Sequence, residues 1–535
     1  MKKRTAMVIA LMLVLSLLTA CAGNGQGSGT TTSQPTASQA PTEAFTYPIP
    51  GNKTLTYFGS LHKNVATQAS SFADMYITQL WFEKTGVTVE FNTPPAGMED
   101  EQLNMMLAST EYTDIMCYNW NKFNGGVQKL YKDGVIYNLT DHLAGWMPNL
   151  KAFLDANGYL DKQVKDDNSQ YFSIPFFKQG AALLSTTGPH LRKDILDKLG
   201  MESPQTVDQW EKVYAAVKAN YPDMYPFVGT WSELRSFYQG AFDISDSDWY
   251  VDTEGKVHYA PLEPGYKEFI QLMIDFFNKG YIDPNFPTYD TTMVVNQVSA
   301  GQGFSMFGSS LDKCNAANKD NGDYLVVGEK RPTFEPGKQV RYVCQYEFGS
   351  NNWAVVSTDC KDLELAMRVY DWGFSEEGYR TLNWGIEGKS YTIGEDGLPY
   401  YTDLILHNPD GLSVAQALAW YVMAGIKGPA MLAQDERYMI QYYSEPIQVE
   451  ALAKWGDIDM TYRRMPNVSR TDEENSVFVT TMADLDTYVQ SNSIKMVIGT
   501  ESIDNWDNFI NTIKNMGIEE VIKVQQQATD RYNAR

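Results

Sequence analysis

Five histidines, His62, His142, His190, His258 and His407, are the side chains best suited to moving protons or binding a transition metal near neutral pH. They are scattered singly, and no HExxH or HxH pair brings two onto one face, so the pattern speaks against a catalytic zinc site. No GxSxG elbow, GxGxxG turn or Walker loop occurs. The nearest stretch, Gly301-Gln302-Gly303-Phe304-Ser305-Met306, lacks the final glycine and follows no clear strand. Between Asp243 and Glu254, the acids Asp246, Asp248, Asp252 and Glu254 could hold calcium. Counted from Asp246, though, Val251 stands where such a loop needs glycine for its sharp turn, so a solvated acidic turn is the better reading. Asp166-Asp167-Asn168 is oxygen-rich and turn-like in the same way. Among 66 acidic residues, paired carboxylates for glycoside hydrolysis are available, yet no spacing singles out a pair. No cofactor is implied.

Aromatic residues are the conspicuous excess: 12 Trp, 33 Tyr and 24 Phe. The charge is strongly acidic, 43 Lys+Arg against 66 Asp+Glu for a net −23. That argues against nucleic acid, whose affinity comes largely from cations neutralising phosphates. It argues equally against a polybasic membrane-surface mode. At ~150 residues per domain, 535 residues make about three folding units or two large lobes.

The elements that must position any site alternate. Lys53–Phe58 reads as a strand broken by Gly59-Ser60, followed by a helix over 70–84, a strand over 87–91, a helix over 99–108 and a strand over 114–118. Such alternation implies parallel βαβ units, which bind ligands beyond the carboxyl ends of their strands. Gly59 to His62 and Asn119-Trp120 therefore fall near any site. Thr206 with Gln209 forms a capping box ahead of an apolar helix containing Trp210. Apolar spacing also marks helices from Tyr266 to Phe277, from Leu363 to Tyr370 and after Ser502. Trp210, Trp372 and Trp506 fall on apolar helix faces and read as core.

The N-terminus reads as an address. Lys2, Lys3 and Arg4 precede an apolar run from Ala6 to Leu18, too short to span ~30 Å of hydrocarbon, which is the form of a signal peptide over residues 1–20. Leu18-Thr19-Ala20-Cys21 resembles a bacterial lipobox, which implies lipidation of Cys21 (palmitate among the acyl groups). Residues 21–49 then form the lipidated cysteine and a flexible tether rich in Gly, Ser, Thr, Gln and Pro. The other cysteines, Cys117, Cys314, Cys344 and Cys360, allow three disulfide pairings or buried free thiols, and no spacing chooses.

Four segments together resemble the extracellular solute-binding proteins of bacterial ABC importers, the large lipoprotein branch found beside sugar permeases in Gram-positive bacteria. They are Leu107 to Met116 with its Asp114-Ile115 strand entry, Leu191-Arg-Lys-Asp194-Ile-Leu-Asp-Lys-Leu-Gly200 with Pro204, Thr206 and Trp210, the turn Gly385-Ile-Glu387-Gly-Lys389 after Trp384, and Gly499 to Trp506. Ile195 and Thr113 depart from the family pattern, which often has Trp and Pro there.

The resemblance implies an α/β fold of two lobes joined by hinge crossovers around a cleft. The crossings are expected near 177–182, near Tyr324 and near Phe374. Lobe one is then 50–178 plus 325–374, and lobe two is 179–324 plus 375–535 with the C-terminal helices. It implies no enzyme activity: a monomer on the extracellular face of the cell membrane captures an oligosaccharide and hands it to permease subunits. The alternatives are a peptide-binding receptor and a secreted glycoside hydrolase. Rings covering the C–H faces of a sugar, with polar groups on its hydroxyls, suit the aromatic excess. The expected ligand-binding residues are His62, Asn119, Trp120, Trp231, Arg235, Trp353, Trp384 and Glu387, with Arg235 or Lys389 as counter-charges if the sugar is acidic.

Overall fold

The structure, a computed structural model, describes residues 45–535 except 121, 179, 181, 182, 184, 343–352, 427 and 444. Its first sheet is built from β1 (Lys53–Phe58), β2 (Val87–Asn92), β3 (Ile115–Tyr118) and β12 (Trp353–Val356) in the order β12-β3-β1-β2. β1 lies parallel to β2 and to β3, while β12 runs antiparallel to β3. The helices Tyr76–Thr85 and Glu99–Ser109 make the two crossovers, as the alternation of elements requires. Asp114 anchors the entry to β3: its carboxylate accepts from the Thr56 main-chain N–H at 2.7 Å and from the Thr56 hydroxyl at 2.8 Å. All four residues of β3 are buried, and the core around them extends to Trp81, Tyr370 and Trp372.

A second sheet has the order β10-β5-β9-β6, from β5 (Gly188–Arg192), β6 (Tyr225–Phe227), β9 (Gly303–Gly308) and β10 (Val326–Gly328). Only β6 and β9 are parallel within it. The glycine-containing stretch from Gly301 to Met306, read as following no strand, itself enters β9. Around this sheet pack the capped helix Val207–Asn220, the helix Pro264–Asn278, and the long helices Asp472–Val497 and Ile518–Ala534. Their shared core is aromatic, with Trp210, Tyr214, Phe237, Phe269 and Phe276 fully enclosed.

The passages between the two cores differ from the expected ones after the first. Phe177 belongs to the first core and β5 to the second sheet, so the first passage lies between 178 and 188. Val326–Gly328 was expected to begin a return to the first lobe near Tyr324. It pairs with β5 instead, and the chain stays with the second sheet through β11 (Val340–Arg341), which pairs with β16 (Ile458–Asp459). The return therefore lies between 341 and 353.

The expected last crossing at Phe374 is also displaced. Leu382, Ala419, Met423 and 430–433 pack into the first core, and β15 (Ala433–Gln434) pairs with β4 (Phe177–Lys178). The chain reaches the second sheet again only with the helix Pro446–Trp455, packed on β10. Short apolar strands carry no mark of which sheet they will join, so strand partnership alone settles these positions.

Among the described residues Cys117, Cys314 and Cys360 are buried and in no disulfide, and Cys344 lies outside the described residues. No described helix is long and apolar enough to cross a membrane.

Candidate ligand site between the two cores

The carboxyl end of β3 and the start of β12 meet at a groove with a cavity volume of about 120 Å³. On the side of the first core it is lined by Trp120, Phe123, Gln128, Lys132 and Trp353. The segment from Asn467 to Asp472, with Asn475, forms the opposite wall. The aromatic floor is layered. Trp120 is only 2% exposed; its Nε1–H donates to the Trp353 carbonyl, and its ring meets Tyr118 edge-on at 5.3 Å and Phe123 at 6.1 Å. Phe123 is half-buried, so it is the ring this stack presents to the groove.

Polar contacts span the groove. Lys132 Nζ reaches both carboxylate oxygens of Asp472 at 2.9 and 2.8 Å, and Asn475 donates to Asn124 Oδ1 at 2.8 Å. Deeper in, the buried Gln163 accepts from Asn467 N–H at 2.9 Å, and its carbonyl accepts from Asn467 Nδ2 at the same distance. Arg531 joins Asp167 at 2.9 Å to Glu474. Burial pushes the Glu474 carboxyl upward, but the Arg531 guanidinium and the N-cap bond from Thr471 hold it below the usual carboxylate range. The groove is thus crossed by exposed polar pairs, and Asn467 of its far wall is held from behind by the buried Gln163.

Two of the expected binding residues, Trp120 and Trp353, come together here, with Asn119 between Trp120 and the end of β3. Both indoles serve as support rather than open platforms, because Trp353 is only 5% exposed. Asn119 is half-buried, and its Oδ1 has no hydrogen-bond partner among the described residues. His62 caps the short helix Lys63–Ala66, its Nδ1 accepting from Asn64 N–H at 3.3 Å, and it does not line this groove.

Packing places three of the expected residues away from this groove. Trp231 lies in the second core against Phe269 and Phe286. Arg235 is consumed by an ion pair: Nη1 and Nη2 both bond Asp248, and Nε bonds Gln239 at 2.8 Å. Trp384 is buried in a satellite core, 4.7 Å from the Tyr401 ring and bonded to Asp435 at 3.2 Å. A helix places apolar and amphipathic side chains according to its buried face, whatever loop precedes it. Glu387 is exposed in a turn closed by Gly388 N–H to the Tyr391 carbonyl, and it does not line the groove. Lys389 lies 4.0 Å from the Tyr76 ring centroid, also away from the groove. Trp210, Trp372 and Trp506 are core residues, as their spacing indicates. Cys21 lies outside the described residues.

Sequence reasoning missed Phe123 and the entire far wall. The one available signal was the capping box of Thr471 and Glu474, which marks a helix start preceded by the polar run from Asn467 to Arg470.

Comparison with known proteins agrees with this architecture. Residues 63–380 match the bacterial extracellular solute-binding protein family. The curated fructooligosaccharide ABC transporter substrate-binding protein FusA of Streptococcus pneumoniae serotype 4 is 23% identical over 561 aligned residues, which cover all of this chain and 99% of the relative. The polygalacturonan/rhamnogalacturonan-binding protein YtcQ of Bacillus subtilis is 24% identical over 329 residues, covering 58% of this chain and 62% of its own. Among solved structures, FusA in complex with kestose superposes with a TM-score of 0.72 at 20% identity, over 90% of this chain and all of that one. The alginate-binding protein AlgQ2 gives the same TM-score and identity over 91% of this chain and all of that one. These likenesses show a shared two-lobed α/β fold, and with more than half of its length matched, the chain belongs to the bacterial extracellular solute-binding protein family.

Proposed function

We propose that this protein is a non-catalytic, lipid-anchored receptor that captures an oligosaccharide between its lobes outside the membrane and delivers it to the permease of an ABC importer. Lobe one would comprise 45–178 with 353–434, and lobe two 188–341 with 446–535. The observation that carries the ligand class is the groove between the two cores, where the half-buried Phe123 ring faces amide and charged side chains. An apolar face with a few placed polar groups suits a sugar, whose C–H patches stack on a ring while its hydroxyls take hydrogen bonds. The fructooligosaccharide named for FusA and the polygalacturonan and rhamnogalacturonan named for YtcQ support a carbohydrate ligand. Phe123, Gln128, Lys132, Asp472 and Asn475 are the proposed contacts, with Trp120, Trp353 and the adjoining Asn119 as their support.

The lipobox at Cys21 and the tether behind it support anchoring of a monomer on the outer face of the cell membrane. Cys21→Ala would then release the protein into the medium. The ligand test is a melting-temperature screen of the full chain against fructo-, galacturono- and manno-oligosaccharides and short peptides. A true ligand at 100 times its dissociation constant adds about 2.7 kcal/mol of stability. If peptides raise the melting point and no oligosaccharide does, the sugar reading fails. Release of reducing sugar would mark a hydrolase instead.

A further inference from the structure

Arg331 is 4% exposed, and no carboxylate pairs with it among the described residues. Nη1 donates to the Trp455 carbonyl at 2.9 Å and Nη2 to the Thr187 carbonyl at 2.6 Å. The guanidinium carbon sits 3.5 Å from the Tyr342 ring centroid and 5.4 Å from that of Phe307. Nε–H has no partner among the described residues. A buried cation whose described partners are carbonyls and rings, with no acid among the described residues, is costly to keep out of water. Its position shows what it holds together.

Two contacts mark passages between the lobes, and the third holds the far end of the helix that receives the last passage. Thr187 immediately precedes β5, where the first passage ends. Tyr342 immediately follows β11, where the second begins. Trp455 ends the helix into which the third passage leads. The Tyr342 and Thr187 hydroxyls also meet at 3.3 Å. Trp455 is seated so closely on β5 that a Cβ on Gly188 would lie 2.0 Å from its Cδ1, so only glycine admits the indole there. On the first lobe, the β4–β15 ladder plays the matching part for the first and third passages.

We propose that Arg331 is a positioning residue that gathers the first two interlobe passages where they meet the second lobe, ties them to the helix that receives the third, and so sets the angle between the lobes in the ligand-free protein. A planar guanidinium can donate to two carbonyls and stack on a ring at once, which an ammonium cannot. The inference rests on the two-lobed fold and is independent of the ligand's chemistry.

The test is small-angle X-ray scattering of the full chain without ligand, comparing wild type with Arg331→Lys and Arg331→Met, each checked for native circular dichroism. Both folded variants are expected to show a shifted radius of gyration and a broadened distance distribution, beyond the scatter of replicate wild-type curves. A residue that merely stabilises the second core would lower the melting point and leave those curves unchanged. Unchanged scattering from the folded variants overturns the proposal. If both fail to fold, Tyr342→Leu decides by the same criterion, because Tyr342 is only half-buried and carries the stacking contact.

Discussion

The Trp120 indole N–H donates to the main-chain oxygen of Trp353 over 2.9 Å, and so ties the exit of β3 to the start of its antiparallel neighbour β12. The bond occupies the polar atom of the indole and fixes the plane of the ring that Phe123 leans on. Trp120→Phe removes that bond and leaves a gap beside Tyr118, at a cost of about 2 kcal/mol. Urea unfolding should show the loss as a lower midpoint with an unchanged slope.

Phe123→Ala should behave in the opposite way. The ring is half-buried and faces the groove, so its removal is expected to weaken oligosaccharide binding about tenfold, equivalent to about 1.4 kcal/mol. The melting point should fall less than in Trp120→Phe. Calorimetric titration with whichever sugar the screen identifies measures this, and undiminished affinity would remove Phe123 from the site.

Arg235→Ala separates the structural role from the ligand role first expected of this residue. Its guanidinium holds Asp248, and close by is Asp486, whose carboxyl is pushed up to about 6 by burial and by the Asp248 charge. Removing one partner of such a largely buried pair costs about 3 kcal/mol. Affinity measured on the folded fraction at low temperature should be unchanged for neutral and acidic sugars alike.

His190 makes stability fall with acidity. Burial beside Trp455 lowers its pKa from 6.5 to about 4, against the raising effect of its bond to the Gly188 carbonyl. The unfolded chain therefore binds this proton first as pH falls. The native state loses about 3 kcal/mol between about pH 6.5 and pH 4 relative to a chain without the group. Asp371 has the reverse sign, since burial raises its carboxyl to about 6 and native stability gains as pH drops through that value. Comparing wild type with His190→Gln cancels the Asp371 contribution. Relative to the variant, the wild type's unfolding free energy should fall by about 3 kcal/mol from about pH 6.5 to about pH 4.

Much of the local structure was legible in the residues themselves. β1 occupies the six positions its β-type run marks, and β2, β3 and the helix Glu99–Ser109 fall within one residue of the expected limits. The Thr206–Gln209 capping box is formed on both sides. These features are decided within a dozen residues of chain, by alternation, by helical spacing and by the need to satisfy the first N–H groups of a helix. The family, too, was readable from short motifs kept in order.

What tertiary structure alone decided was which rings face outward and which sheet each late strand joins. Trp231 and Trp384 were expected at the ligand and are core, whereas Phe123 stood out by neither type nor spacing and faces the groove. The far wall, from Asn467 to Asn475, lies more than 340 residues along the chain from Phe123 and meets it only through folding. An aromatic side chain buries itself equally well against any apolar partner, so its local sequence fixes that it will be covered but not by what. Long-range strand pairing makes that choice, because every strand in a core must find hydrogen bonds for its backbone.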